Sequence, residues 1–108
     1  MVSKEQVLTF KKSADQIYIL KDYTSSTILY FKTLFAIQDF FLLEKLGYAP
    51  KDHTERFAIL KIKFPDEYRI LDSEFNTYRN TYSKIISKDT CDRIRTIVEN
   101  EINKHNIK

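Results

Sequence analysis

The sequence predicts an all-α protein: an up-and-down bundle of four main helices plus one short helix, with residues 1–108 forming a single domain. Three observations carry this. Apolar residues recur at spacings of three and four along most of the chain, the repeat of a helix face. One glycine and two prolines in 108 residues leave little material for the tight turns of an all-β fold. Hydrophobic residues make up 43% and charged residues 31%, a globular balance with enough apolar surface for one core.

The first helix is expected over residues 4–21. Ser3 stands where an N-cap is needed, and Val7, Phe10, Ala14, Ile17 and Tyr18 share one face. Lys11, Lys12 and Asp15 fall mostly on the other. The second is expected over residues 24–46, with Ile28, Phe31, Leu34, Phe35, Gln38, Phe41, Leu42 and Leu46 in a stripe. Leu29, Ile37, Phe40 and Leu43 widen that stripe around much of the helix, which predicts a central position and a face turned to a second subunit. Gly47 follows the last apolar residue, where a left-handed C-cap belongs, and Pro50 prevents continuation.

The third helix, over residues 54–63, is short; Asp52 or Thr54 caps it and Phe57, Leu60 and Phe64 point inward. Pro65 suits the first position of a fourth helix over residues 66–85. There Tyr68, Leu71, Phe75, Tyr78, Tyr82 and Ile85 alternate steps of three and four, a coiled-coil-like seam. The opposite face carries Arg69, Asp72, Ser73, Asn76, Arg79, Asn80 and Ser83. The fifth helix, over residues 88–105, has Ser87 as its cap, Asp89 in its first turn, and Cys91, Ile94, Ile97, Val98 and Ile102 inward. The last few residues are expected to fray. Connections of about two to seven residues predict antiparallel neighbours.

A net charge of +3 permits an acidic partner without demanding one. The single cysteine, Cys91, excludes an intramolecular disulfide, suits a reducing compartment, and reads as a small core residue. The N-terminal residues have no signal-peptide apolar run. Lys32, Asp39, Glu44 and Lys45 interrupt the apolar stretch 27–46, so no membrane span is expected and a cytoplasmic location follows.

No metal constellation and no cofactor motif is legible. His53, His105 and Cys91 stand in no recognisable ligand spacing, and HExxH, CxxC and glycine-rich phosphate loops are missing. The acidic pairs Asp66-Glu67 and Glu99/Glu101 read as solvated faces. Two features stand above this background. In Lys51-Asp52-His53-Thr54-Glu55-Arg56, His53 and Arg56 enter a helix whose free N–H groups could take a phosphate. Equally, His53 could hydrogen-bond a neighbouring helix and order the loop. In Tyr78-Arg79-Asn80-Thr81-Tyr82, Arg79 and Asn80 could hold a phosphate and a base edge, or be ordinary surface. The seven Tyr and eight Phe lie on apolar stripes and read as core.

The order of these pieces resembles the HEPN superfamily of small helical domains. The matching pieces are Ile28 to Ala36 on the central helix, Leu42-Leu43-Glu44-Lys45-Leu46-Gly47, Pro50-Lys51-Asp52-His53 before a short helix, and Tyr78-Arg79 on the next long one. The resemblance implies a homodimer of four- or five-helix bundles that acts with RNA, binds a nucleotide, or pairs with a small nucleotidyltransferase. Active ribonuclease members carry an Arg on the long fourth helix and a His four to six residues later. Arg79 matches the Arg, but residues 80–86 contain no His, so the usual metal-independent cleavage is put in doubt. Tyr82, one turn on, is a poor replacement base because its hydroxyl loses a proton only near pH ~10.

The expected function is therefore a dimeric HEPN-like binding module that engages RNA, a nucleotide or a nucleotidyltransferase partner through Arg79, Asn80, Tyr82, His53 and Arg56, without the usual ribonuclease activity. The alternatives are a metal-independent ribonuclease toxin of a toxin–antitoxin pair, and a purely structural interaction protein.

Overall fold

The computed structural model of the chain describes residues 2–108, which form five helices and, among those residues, no strand. These are α1 (Lys4–Ile19), α2 (Tyr23–Leu46), α3 (His53–Lys63), α4 (Pro65–Asn80) and α5 (Lys88–Lys104). Local chemistry sets most of the boundaries. Ser3 accepts the Gln6 N–H at 3.1 Å, Asp22 the Ser25 N–H at 3.1 Å, and Ser87 the Thr90 N–H at 3.2 Å. Gly47 closes α2 at φ +83°, a conformation that strains any residue with a Cβ. Pro65 opens α4, where its missing N–H costs nothing.

The four main helices alternate in direction, as an up-and-down bundle requires. Along α1 and α5, Lys11 meets Glu99, Asp15 meets Arg95 and Tyr18 meets Asp92, so the two run antiparallel. Gln38 faces Glu67 while Phe31 packs on Tyr78, so α4 runs against α2. The short helix α3 breaks the expected alternation. His53 packs on Phe35 and Arg56 pairs with Asp39, so α3 runs in the same sense as α2. Geometry permits it: residues 47–52 can span about 20 Å when extended, and α2 rises only about 17 Å from Phe35 to Leu46.

The core gathers on α2. Tyr30, Phe31, Leu34, Ile37 and Leu42 are wholly buried against Val7 and Ala14 of α1, Leu60 of α3, Leu71 of α4, and Cys91, Ile94 and Val98 of α5. Each of the larger side chains contributes about 1.5–3 kcal/mol by leaving water. α2 is long and apolar enough to cross a bilayer, yet most of its apolar length is buried among its neighbours.

The fourth helix stops short of the expected residue 85. Thr81 Oγ1 donates to the Tyr78 carbonyl at 2.6 Å, and the Thr81, Tyr82 and Ser83 N–H groups bond three residues back rather than four. The tighter turns rotate everything that follows out of the heptad register. Tyr82 and Ile85, expected in the seam, stand 74% and 95% exposed, and Ile86 is buried instead. The Ile86 N–H donates to Thr24 Oγ1 at 2.8 Å, which ties this connection to the start of α2.

Two further expectations fail at the opposite end. Glu67 and Glu101, read as solvated, are 3% and 2% exposed, and the C-terminus does not fray, because Ile107 is 1% exposed. The reason is a network between α4 and α5. Lys104 Nζ lies 2.7 Å from Glu67 Oε2, and His105 Nε2 lies 3.1 Å from Glu67 Oε1. Burial pushes the Glu67 carboxyl up, but hydrogen bonds from His105 and Lys104 outweigh it and hold the group down at about 2. Contact with Glu101 first, and the hydrogen bond to Glu67 second, push His105 up to about 9 against the opposing effect of burial.

Candidate functional site

The five residues singled out from the sequence fall into two groups. His53 and Arg56 belong to an aromatic cluster between α2, α3 and α4, which Tyr78 connects to Tyr82. Arg79 and Asn80 lie at the last turn of α4, aside from that cluster.

Arg56 is 6% exposed and fully engaged. Its Nε and Nη2 donate to the two oxygens of Asp39 at 2.7 and 2.9 Å, its guanidinium lies 5.1 Å from the Phe35 ring centroid, and its Nη1 is 2.6 Å from His53 Nδ1. A guanidinium already forked onto a carboxylate has no face left for a phosphate. At the α3 N-terminus the Asp52 carboxylate accepts the Glu55 N–H at 2.8 Å and sets its own negative charge where a phosphate would have to sit. Arg56 is therefore a structural residue, and the start of α3 is not a phosphate cradle.

His53 packs edge-on against Phe35, Phe75 and Tyr78 at 4.8–5.5 Å between ring centroids. An arginine only donates, so Nδ1 accepts and the ring proton sits on Nε2. Burial first, then the Arg56 charge, lowers the His53 pKa and keeps the ring neutral. The one basic lone pair of that tautomer is already occupied. His53 orders the loop and the aromatic cluster, one of the two roles open to it from sequence.

The Tyr78 hydroxyl is 2.7 Å from that of Tyr82. Burial, then the bond to Tyr82, pushes the Tyr78 hydroxyl up to about 12, so a phenolate base at Tyr78 is disfavoured. Tyr82 carries its ring into solvent, available for stacking.

Arg79 is exposed, and its Nη2 donates only to the amide oxygen of Asn76 at 3.1 Å. The other four arginines, Arg56, Arg69, Arg93 and Arg95, each meet a carboxylate, so among the described residues Arg79 is the one arginine without an acidic partner. Asn80 is half-buried, and its carbonyl accepts the Ser83 and Lys84 N–H groups.

Set against models of known families, curated proteins and solved structures, the chain matches none.

Sequence reasoning missed Glu67, Glu101 and His105. Glu101 and His105 stand four apart and so share a helix face, a spacing visible in the sequence. Their companion Glu67 lies 38 residues before His105 and only the fold brings it in.

Proposed function

We propose that this chain is an HEPN-like homodimeric binding module that grips the phosphates of an RNA through Arg79, with Tyr82 beside it as a stacking surface. The observation that carries this reading is the unpaired guanidinium of Arg79. A charge held off every carboxylate keeps its full affinity for an external anion, whereas a paired one must first break its bond. Two copies of Arg79 brought together across a dimer cleft would add their potentials. Asn80 shapes the turn that presents both side chains.

Binding is favoured over cleavage by the state of His53. It is the histidine nearest Tyr82, and its lone pair is spent on Arg56, so it offers a donor and no general base.

The test is fluorescence anisotropy with a labelled single-stranded RNA across a range of salt, for the wild type and Arg79→Ala. The variant is expected to bind at least ~10-fold more weakly at low salt, with a log–log salt slope smaller by about one for each Arg79 removed from the interface. Equal affinities and slopes would remove Arg79 from the site. Metal-independent cleavage of the same RNA by the wild type would favour the ribonuclease reading instead.

A further inference from the structure

Away from Arg79, at the opposite end of the bundle, three ligating side chains converge. Glu67 projects from the first turn of α4, and Glu101 and His105 lie one turn apart at the end of α5. His105 Nε2 is 3.1 Å from Glu67 Oε1 and 2.9 Å from Glu101 Oε2, and the ligand atoms of the three residues all lie within 4.8 Å of one another. A tetrahedral ion with bonds of about 2.0–2.1 Å holds its ligand atoms about 3.3 Å apart. The three groups thus already approach one face of such a tetrahedron.

A second observation separates this cluster from an ordinary ion pair. Glu101 is 2% exposed, and its Oε2, pointing at His105, has no aligned hydrogen-bond donor among the described residues. The single N–H on Nε2 is aligned with Glu67, so Glu101 Oε2, though 2.9 Å from the same nitrogen, meets its proton only at a poor angle. A buried carboxylate oxygen without a well-directed partner is costly to the fold. A cation among the three groups would satisfy it.

The surroundings suit an ion. Lys104 holds Glu67 Oε2 at 2.7 Å, as outer partners commonly do, which leaves Oε1 to bind in one-oxygen fashion once the Nε2 proton it accepts has left. A cleft of about 310 Å³ lined by Phe41, Phe64, Glu67, Lys104 and His105 adjoins the cluster, with room for a water as a further ligand. Glu67 and Glu101 sit on helices and His105 directly caps α5, so binding costs little ordering.

We propose that Glu67, Glu101 and His105 form a three-ligand site for a divalent first-row transition ion of the zinc class, with its fourth position open to the Phe41–Phe64 cleft. One imidazole nitrogen and two carboxylate oxygens are a donor set this class accepts. On binding, Nε2 gives its proton to solvent and directs its lone pair at the ion, while each carboxylate contributes one oxygen.

The test is calorimetric titration of the chelator-stripped full chain with Zn²⁺, together with the visible spectrum of its Co²⁺ form. One equivalent is expected per chain, with dissociation in the micromolar range or tighter and the intense absorption of tetrahedral Co²⁺. Glu101→Gln, which keeps the volume and removes the charge, is expected to weaken binding at least ~10-fold. Binding below one equivalent by the wild type, a Co²⁺ spectrum like that of the free aqueous ion, or a folded Glu101→Gln protein that binds as the wild type does would overturn the proposal. Both wild-type measurements stand even if the variant does not fold.

Discussion

Asp39 accepts both Nε–H and Nη2–H of Arg56, at 2.7 and 2.9 Å, and this fork seats α3 alongside α2. The pair is mostly shielded, with the Arg56 and Asp39 side chains 8% and 19% exposed. Removing one member strands the other charge in a poorly solvated place.

Asp39→Ala is therefore expected to lower the unfolding free energy by on the order of 3 kcal/mol. Urea denaturation monitored by circular dichroism checks it. A loss under ~1 kcal/mol would mean that the pair is solvated in solution and that α3 is seated by its apolar contacts alone.

His53 gives the molecule an acid-sensitive point. Its pKa in the folded protein is depressed, by burial and then by Arg56, while in the unfolded chain it titrates near its ordinary ~6.5. Between these values the unfolded chain binds more protons, so stability rises with pH. The contribution is fully present above pH ~6.5 and is lost as the pH falls through the folded value. His105, with its raised pKa, adds a slope of the opposite sign as the pH falls from 7 through its ordinary ~6.5, and a variant at His53 separates the two. From pH 7 to 5 the wild-type melting temperature should fall relative to that of His53→Gln. Parallel curves would show that His53 is solvated.

Ile107 makes the C-terminus part of the core. Ile107→Ala is expected to cost about 2–5 kcal/mol, as for other buried isoleucines. A melting temperature within a degree of wild type would show that the tail lifts off in solution, as its polar neighbours Asn106 and Lys108 alone would suggest.

Phe35 joins the core to the aromatic cluster, lying 4.8 Å from His53 and 4.9 Å from Tyr78 between ring centroids. Phe35→Ala should cost about 3–5 kcal/mol in chemical denaturation, the range for a buried aromatic. It should also loosen His53, seen as a histidine proton resonance that titrates closer to its ordinary pKa. An unshifted titration would separate the ring from the control of His53.

The sequence alone determined the helices and their ends wherever the cause was local. Ser3, Gly47, Pro65 and Ser87 act within a turn of their own position, so caps and breaks could be read directly. The stripes on α1 and α5 matched their buried faces for the same reason, that a helix repeats at 3.6 residues wherever it stands, whereas the central α2 also buries Ser26, Thr27, Tyr30 and Thr33 outside its stripe. The spacing failed at Tyr82 and Ile85 because it runs on through Thr81, whose hydroxyl and N–H both turn back onto Tyr78. Only the tertiary structure decided the fate of the charges. Arg56, Arg79, Glu67 and Glu101 look alike in the chain, each a polar residue on a helix. Asp39 comes from 17 residues away to take Arg56, and His105 from 38 residues away to take Glu67, while nothing acidic among the described residues reaches Arg79. Whether a charge is spent inside the protein or left for a ligand depends on a partner's position in space, and spacing along one helix does not encode that.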